Sequence, residues 1–196
     1  MADKLTIALL SGGTSSEREV SLNSGCQVFE ALDKNRYEVL RFDPKTDLAR
    51  LVAEADRIDA ALIILHGSCG EDGTVQGLLD LLKIPYQGSG VLGSAVAMNK
   101  LAAKRLYAHA GLPIPDYTVV RRGEVVDPEA LAGRLGWPLV VKPVVGGSSV
   151  GIGIVRRLAD LQAAMALALE HDCQVLVEAY IEGIEITGSV VGNEEL

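Results

Sequence analysis

Three short stretches of this 196-residue chain combine residue types that could do chemistry together. In "VVKPVVGGSSVGIG" (140–153), Lys142 precedes a loop of glycines and serines. A lysine ammonium beside a run of backbone N–H groups suits a polyanion, and Ser148 and Ser149 would add hydroxyl donors. The order departs from the phosphate loop G-x-x-x-x-G-K-[ST], in which the lysine follows the glycines and a helix comes next. Here the apolar run "WPLVV" precedes the lysine and β-branched "VGIGIV" follows it, so the loop joins two strands. The eight residues from Lys142 to Ser149 exceed what a tight hairpin needs. That favours a ligand over glycines that serve the turn alone.

The second stretch, "ALLSGGTSSEREVS" (8–21), is a strand, a Gly-Gly turn and a helix, with Glu17 in the first helical turn. Ligands of parallel sheets bind at the carboxyl ends of strands, beside helix N-termini. Glu17 could face such a ligand, or merely complement the helix dipole, a contribution of about 0.3–1 kcal/mol. On this stretch alone the two readings balance. The third, "LHGSCGEDGTVQG" (65–77), repeats the arrangement with His66 at a strand end and four glycines in the eleven residues 67–77. An isolated histidine there would be structural; two such loops at neighbouring strand ends point to a site.

The elements that must position these residues follow from periodicity. Strands are expected at 5–10, 37–43 and 60–65, helices at about 16–32, 46–56 and 73–83, and a short strand at "IPYQG". Strand–helix alternation at this spacing predicts a parallel sheet. Ser16 and Glu19 form a capping-box pattern at the start of the first helix. "SAVAMNKLAAKRLYAHAG" is helical, with Asn99 as a cap and Gly111 as a stop. From residue 116 the pattern changes to the strands "YTVV", "PLVVKP", "GIGIV" and "QVLVEAYI", with helices near 127–135 and 158–170, a small α+β unit. "ITGSVV" near the end has the pattern of a further strand.

Composition narrows the class. Hydrophobic residues make up 48% and aromatics only 4%, so the core is built from Ala, Val, Leu and Ile. A net charge of −8 with no clustered Lys/Arg argues against nucleic acid. The apolar run at the start is too short for a membrane span or a signal peptide. Cys26, Cys69 and Cys173 are odd in number and lack metal-ligand spacing, which favours a reducing, cytoplasmic setting. They are expected to be buried or incidental thiols; Cys69 as a nucleophile would need His66 aimed at it.

Five segments together carry a resemblance: "GGTSSEREVSLNSG", "LHGSCGEDGTVQG", "IPYQGSGVLGSAVAMNK", "VKPVVGGSSVGIG" and "VLVEAYIEGIE". In order and spacing the chain resembles the D-alanine–D-alanine ligases of the ATP-grasp superfamily. The resemblance implies an α/β fold: a parallel Rossmann-like domain at 1–95, a small α+β ATP-grasp lid domain at 96–185, and the start of a larger ATP-grasp domain at 186–196. It implies ATP-dependent joining of two D-alanines through a D-alanyl phosphate, for peptidoglycan precursors, with ATP and Mg²⁺ as cofactors and a homodimer as the assembly.

Site residues follow from the same resemblance. Glu17 would bind the ammonium of the first D-alanine, with His66 close to it and Ser148 bonded towards Glu17. Lys100, Lys142, Gly147 and Ser149 would hold the ATP phosphates. Glu178 and the backbone of Ala179, Tyr180 and Ile181 would meet adenine, and Glu185 the ribose. Position 179 is alanine where many relatives carry lysine.

The family continues for roughly a hundred residues past the position of Leu196, and that part would hold the metal ligands and select the second substrate. No metal ligands are therefore expected within this chain, and the chain alone is expected to be inactive. The alternatives left open are a non-catalytic nucleotide-binding or dimerising fragment, and D-alanine–D-lactate or D-alanine–D-serine ligation.

Overall fold

A computed structural model describes residues 4–147 and 150–192. Its first half alternates strands and helices: β1 (Leu5–Leu10), α1 (Arg18–Ala31), β2 (Tyr37–Phe42), α2 (Leu48–Ala53), β3 (Ala60–Ile63) and α3 (Thr74–Leu81). β1 is central and pairs in parallel with β2 and β3. Parallel sheets are covered on both faces, and the four consecutive residues Ile7–Leu10 are accordingly all buried. The core here is aliphatic around one aromatic, Phe42, packed with Leu10, Leu51, Leu65 and Leu79.

Where a strand was expected at "IPYQG", only Tyr86 bridges, in parallel, to Ala61. Pro85 lacks an N–H and can only accept, which it does from Ala61 at 2.7 Å. Gln87 extends the pairing with its side chain, accepting from Ile63 N–H at 2.9 Å and donating to Ile63 O at 2.7 Å.

Two helices, α4 (Val91–Met98) and α5 (Lys100–His109), lead to the second sheet. Asn99 separates them: its extended backbone ends one, and its side chain accepts from Ala102 N–H at 2.9 Å to start the other. The remainder comprises β4 (Tyr117–Arg121), α6 (Pro128–Leu135), β5 (Leu139–Pro143), β6 (Gly153–Val155), α7 (Leu158–His171) and β7 (Gln174–Ala179). The strands run antiparallel in the order β4-β7-β5-β6. Leu131 of α6 and Leu161 and Met165 of α7 pack with Leu139, Val175 and Val177 of the sheet. Leu101 of α5 packs with Val144 and Leu176 in a separate small cluster.

Three further expectations are corrected. Ser16 does not cap α1: the helix begins at Arg18, Glu17 holds the N-cap position and no side chain caps it. Nearby serine hydroxyls are drawn into tertiary bonds instead. The helix expected over 46–56 stops at Ala53 and gives way to a 3-10 turn at Ala55–Arg57. "ITGSVV" forms no strand, and residues 181–192 are exposed without regular structure. A strand pattern needs a partner to satisfy its backbone, and among the described residues none pairs with this segment.

Candidate functional site

Glu17 lies where three loops meet, and hydrogen bonds from serines hold the loops together. Ser15 Oγ donates to His66 O at 2.7 Å and accepts from Glu17 N–H at 3.2 Å, joining the turn after β1 to the loop after β3. Ser21 is fully buried; its hydroxyl accepts from Gly12 N–H at 2.8 Å and donates to Ile64 O at 2.5 Å. From the side of β2, Asp43 accepts from Gly13 N–H at 2.9 Å and pairs with Arg18 through both oxygens, at 3.1 and 2.5 Å. Arg18 also donates to Gly13 O at 2.7 Å. Burial pushes the Asp43 carboxyl up, but the hydrogen bonds from Arg18, Gly13 and Lys45 outweigh it and hold the group at about 2. The turn that delivers Glu17 is thus clamped from the ends of β2 and β3 and from α1.

Glu17 itself is buried at 9% exposure. Gly67, in the left-handed region at φ 69°, passes so close that a Cβ there would sit 2.6 Å from Glu17 Oε2. From the other sheet, a Cβ at Gly147 would sit 3.0 Å from the same oxygen. The glycine-rich loop, which spans the gap between the last paired residues Val141 and Gly153, therefore reaches Glu17. A cavity of about 410 Å³ opens at this junction between Ser16 and Ser68 on one side and Gly146, Gly147 and Asp172 on the other. A second, of about 210 Å³, lies beside His66 and is lined by Gly13, Ser15, Leu65 and Val75. Cys69 also lines it, and all three cysteine thiols are exposed, so they are not core residues. Ser148 and Ser149 lie outside the described residues.

The lysines meet in a third cavity, about 310 Å³, shared by Lys100, Lys104, Lys142 and Glu178. Strand register explains the meeting. Glu178 lies opposite Val140 and Lys142 opposite Leu176, so Lys142 and Glu178 are diagonal neighbours on one face of the sheet. Their ion pair is 2.6 Å. Tyr117 is opposite Glu178 on the other flank. Lys104, which the sequence reading did not single out, reaches the second oxygen of Glu178 at 3.1 Å. Its signal was present: it stands four residues after Lys100, on the same face of a helix.

Lys100 donates to Gly146 O at 2.7 Å. Burial, and then the neighbouring Lys142 ammonium, lower its pKa below the usual lysine value. Asp172, also missed from the sequence, fixes the next link of the loop by accepting from Val145 N–H at 2.8 Å. Ala179 and Tyr180 follow Glu178 in the chain, but their N–H groups already bond to Asp116 O (2.9 Å) and Pro138 O (3.0 Å). Ile181 and Glu185 are exposed and are not brought to the lysines.

Among the described residues no three His, Cys, Asp or Glu side chains group to hold a metal ion, so no step is assigned to Mg²⁺ on these residues. No helix among them is long and apolar enough to cross a membrane.

A parallel α/β sheet, an antiparallel sheet and a lysine-flanked glycine loop that links them define the class, an ATP-grasp ligase fold. Models described as D-ala D-ala ligase N-terminus and D-ala D-ala ligase C-terminus match residues 6–49 with 41–89, and 106–196, respectively. The chain belongs to the D-alanine–D-alanine ligase family. It is 61% identical over 194 residues to the D-alanine–D-alanine ligase of Syntrophobacter fumaroxidans, covering 99% of this chain and 62% of that protein. The crystal structure of D-alanine–D-alanine ligase from Bacillus anthracis superposes with a TM-score of 0.82 at 41% identity, covering 91% of this chain and 58% of that one. The Bacillus anthracis ligase complexed with ATP gives a TM-score of 0.80 at 38% identity, covering 91% and 60%. The chain thus spans about three-fifths of the length of these relatives.

Proposed function

We propose that this chain provides the amino-acid pocket and part of the nucleotide cleft for ATP-dependent joining of two D-alanines, in peptidoglycan precursor synthesis. The carboxylate of the first D-alanine attacks the γ-phosphorus of ATP, and ADP leaves. The amine of the second attacks the carbonyl of the resulting D-alanyl phosphate, losing a proton, and inorganic phosphate leaves with the peptide bond formed. Phosphoryl transfer asks a protein mainly for positioning and charge neutralisation.

The observation that carries the reading is the approach of Gly147 to Glu17, with a Cβ position 3.0 Å from the carboxylate. It brings the glycine-rich loop, and hence the phosphates under it, to the acid that takes the D-alanine ammonium. His66 lines the adjoining cavity on the amino-acid side. Lys100 and Lys142 supply ammonium groups for the phosphates. Ser148 and Ser149, which follow Gly147 in the sequence, would add hydroxyl donors. Adenine lies against Glu178 and the backbone of Ala179, Tyr180 and Ile181; Ile181, which makes no hydrogen bond among the described residues, offers the free N–H. Glu185 turns to the ribose once the exposed segment 181–192 packs over the nucleotide. The protein works in the cytoplasm as a homodimer, with residues 1–95 and 96–185 as its substrate and lid units.

The test is a fusion of this chain to the remaining C-terminal part of the Syntrophobacter fumaroxidans relative, assayed for phosphate release with ATP, MgCl₂ and D-alanine. D-alanine should stimulate release and yield D-alanyl-D-alanine, with L-alanine inert. Stimulation by another amino acid, with D-alanine inert, would overturn the proposal.

A further inference from the structure

Lys104 is a lysine with 7% exposure, one turn after Lys100 on α5. Its ammonium pairs with Glu178 Oε1 at 3.1 Å, donates to Pro115 O at 3.1 Å and lies 4.8 Å from the centre of the Tyr117 ring. Glu178, at 4% exposure, holds Lys142 on its other oxygen. A buried lysine–carboxylate pair is a poor source of stability: desolvating each ion costs several kcal/mol, and well-packed apolar replacements are often neutral or stabilising. The arrangement therefore calls for a reason other than stability.

We propose that Lys104 is a positioning residue that keeps Lys142 oriented, yet electrostatically available, for the phosphates of the bound nucleotide. The inference rests on the nucleotide reading of this cavity. Three ammonium groups share the cavity with one carboxylate, which leaves two positive charges to face an anion. Remove Lys104 and that excess falls to one. Glu178 would then answer to Lys142 alone, free to turn both oxygens towards it and hold the ammonium that should meet phosphate. With Lys104 on Oε1, only Oε2 faces Lys142, and the strand register fixes the direction of that contact. Lys104 lines the same cavity but is the more enclosed: its side chain is 8% exposed against 23% for Lys142, and its ammonium is held by Glu178 and Pro115, so its influence on Lys142 passes through Glu178.

This predicts a selective loss. Titration calorimetry on the fusion with the C-terminal part of the Syntrophobacter fumaroxidans relative should compare ATP with adenosine, which shares the base and sugar but carries no phosphate. Loss of one charge-assisted contact corresponds to at least about tenfold, so Lys104→Gln should weaken ATP by that factor and adenosine by less than about twofold. Lys104→Arg keeps the charge and the reach to Glu178, and should restore the preference for ATP. Lys104→Met, of similar length and apolar, gives the same reading if the Gln variant does not fold. Equal weakening of ATP and adenosine would show Lys104 to be merely structural and overturn the proposal. Unchanged ATP affinity in Lys104→Gln would overturn it while leaving the nucleotide reading intact. If the unsubstituted fusion binds ATP no more tightly than adenosine, the phosphate reading itself falls and this inference with it.

Discussion

The Lys100 ammonium donates to the carbonyl oxygen of Gly146 at 2.7 Å, tying the first residue of α5 to the glycine-rich loop. The backbone repeats the tie, with Lys100 N–H donating to Val144 O at 2.9 Å. A side chain proposed to meet phosphate is thus also a strut for the glycine-rich loop. Binding and loop position are coupled through one ammonium.

That coupling has a pH signature. Burial, then Lys142, lower the Lys100 pKa below its ordinary 10.5. Between the lowered folded-state value and 10.5 the unfolded chain binds more protons, so this group makes folding more favourable as pH rises through that window. Nucleotide binding runs the other way, because a phosphate needs the charged form. ATP affinity should therefore begin to fall at a lower pH than an ordinary lysine would give, and Lys100→Arg should remove that early fall. Calorimetric ATP titrations from pH 7 upward check it; coincident curves for the two proteins would refute it.

Glu17→Gln tests the amino-acid pocket in the fused enzyme. Losing a charge-assisted bond to an ammonium costs about 1.5–3 kcal/mol, so the KM for the first D-alanine should rise roughly 10- to 150-fold, with turnover lowered. The KM for ATP should stay near its original value if, as proposed, the carboxylate faces the amino acid. Steady-state kinetics in each substrate separates the two. Unchanged D-alanine kinetics would return Glu17 to the role of a helix-dipole partner.

Asp43 anchors the turn before Glu17, and its own chemistry predicts how that anchor fails. Its pKa of about 2 lies below the ordinary 3.8, so its contribution to stability is present above 3.8 and is lost as pH falls towards 2. Asp43→Asn removes the bidentate partner of Arg18 and should lower the urea midpoint at pH 7. Near pH 2 the variant and the original protein should converge. A gap that persists at low pH would mean that packing, not charge, holds the turn.

Much of the candidate site was legible because its signals are local. The glycine clusters, the lysine before the loop, the Asn99 cap and the strand and helix periods each depend on neighbours within a few residues. The misreadings came where a local pattern met a distant competitor. The Ser16–Glu19 capping pattern is not realised: the helix starts at Arg18, and the neighbouring Ser15 and Ser21 bond to carbonyls of His66 and Ile64 in the loop after β3. "ITGSVV" alternates like a strand, but no described strand pairs with it, and alternation alone satisfies no backbone group.

By itself the sequence determined the chemical inventory of this protein: an acid after a Gly-Gly turn, a histidine at a strand end, and lysines around a glycine loop. Only the tertiary structure decided who meets whom. β5–β7 register makes Lys142 and Glu178 diagonal neighbours, the face of α5 brings Lys104 to the other oxygen, and the end of β2 presents Asp43 to Arg18. The reason is physical. Secondary structure follows short-range periodicity, which a chain carries in its order of residues, whereas ion pairs and loop contacts depend on strand register and helix packing, which are set only when the whole core closes.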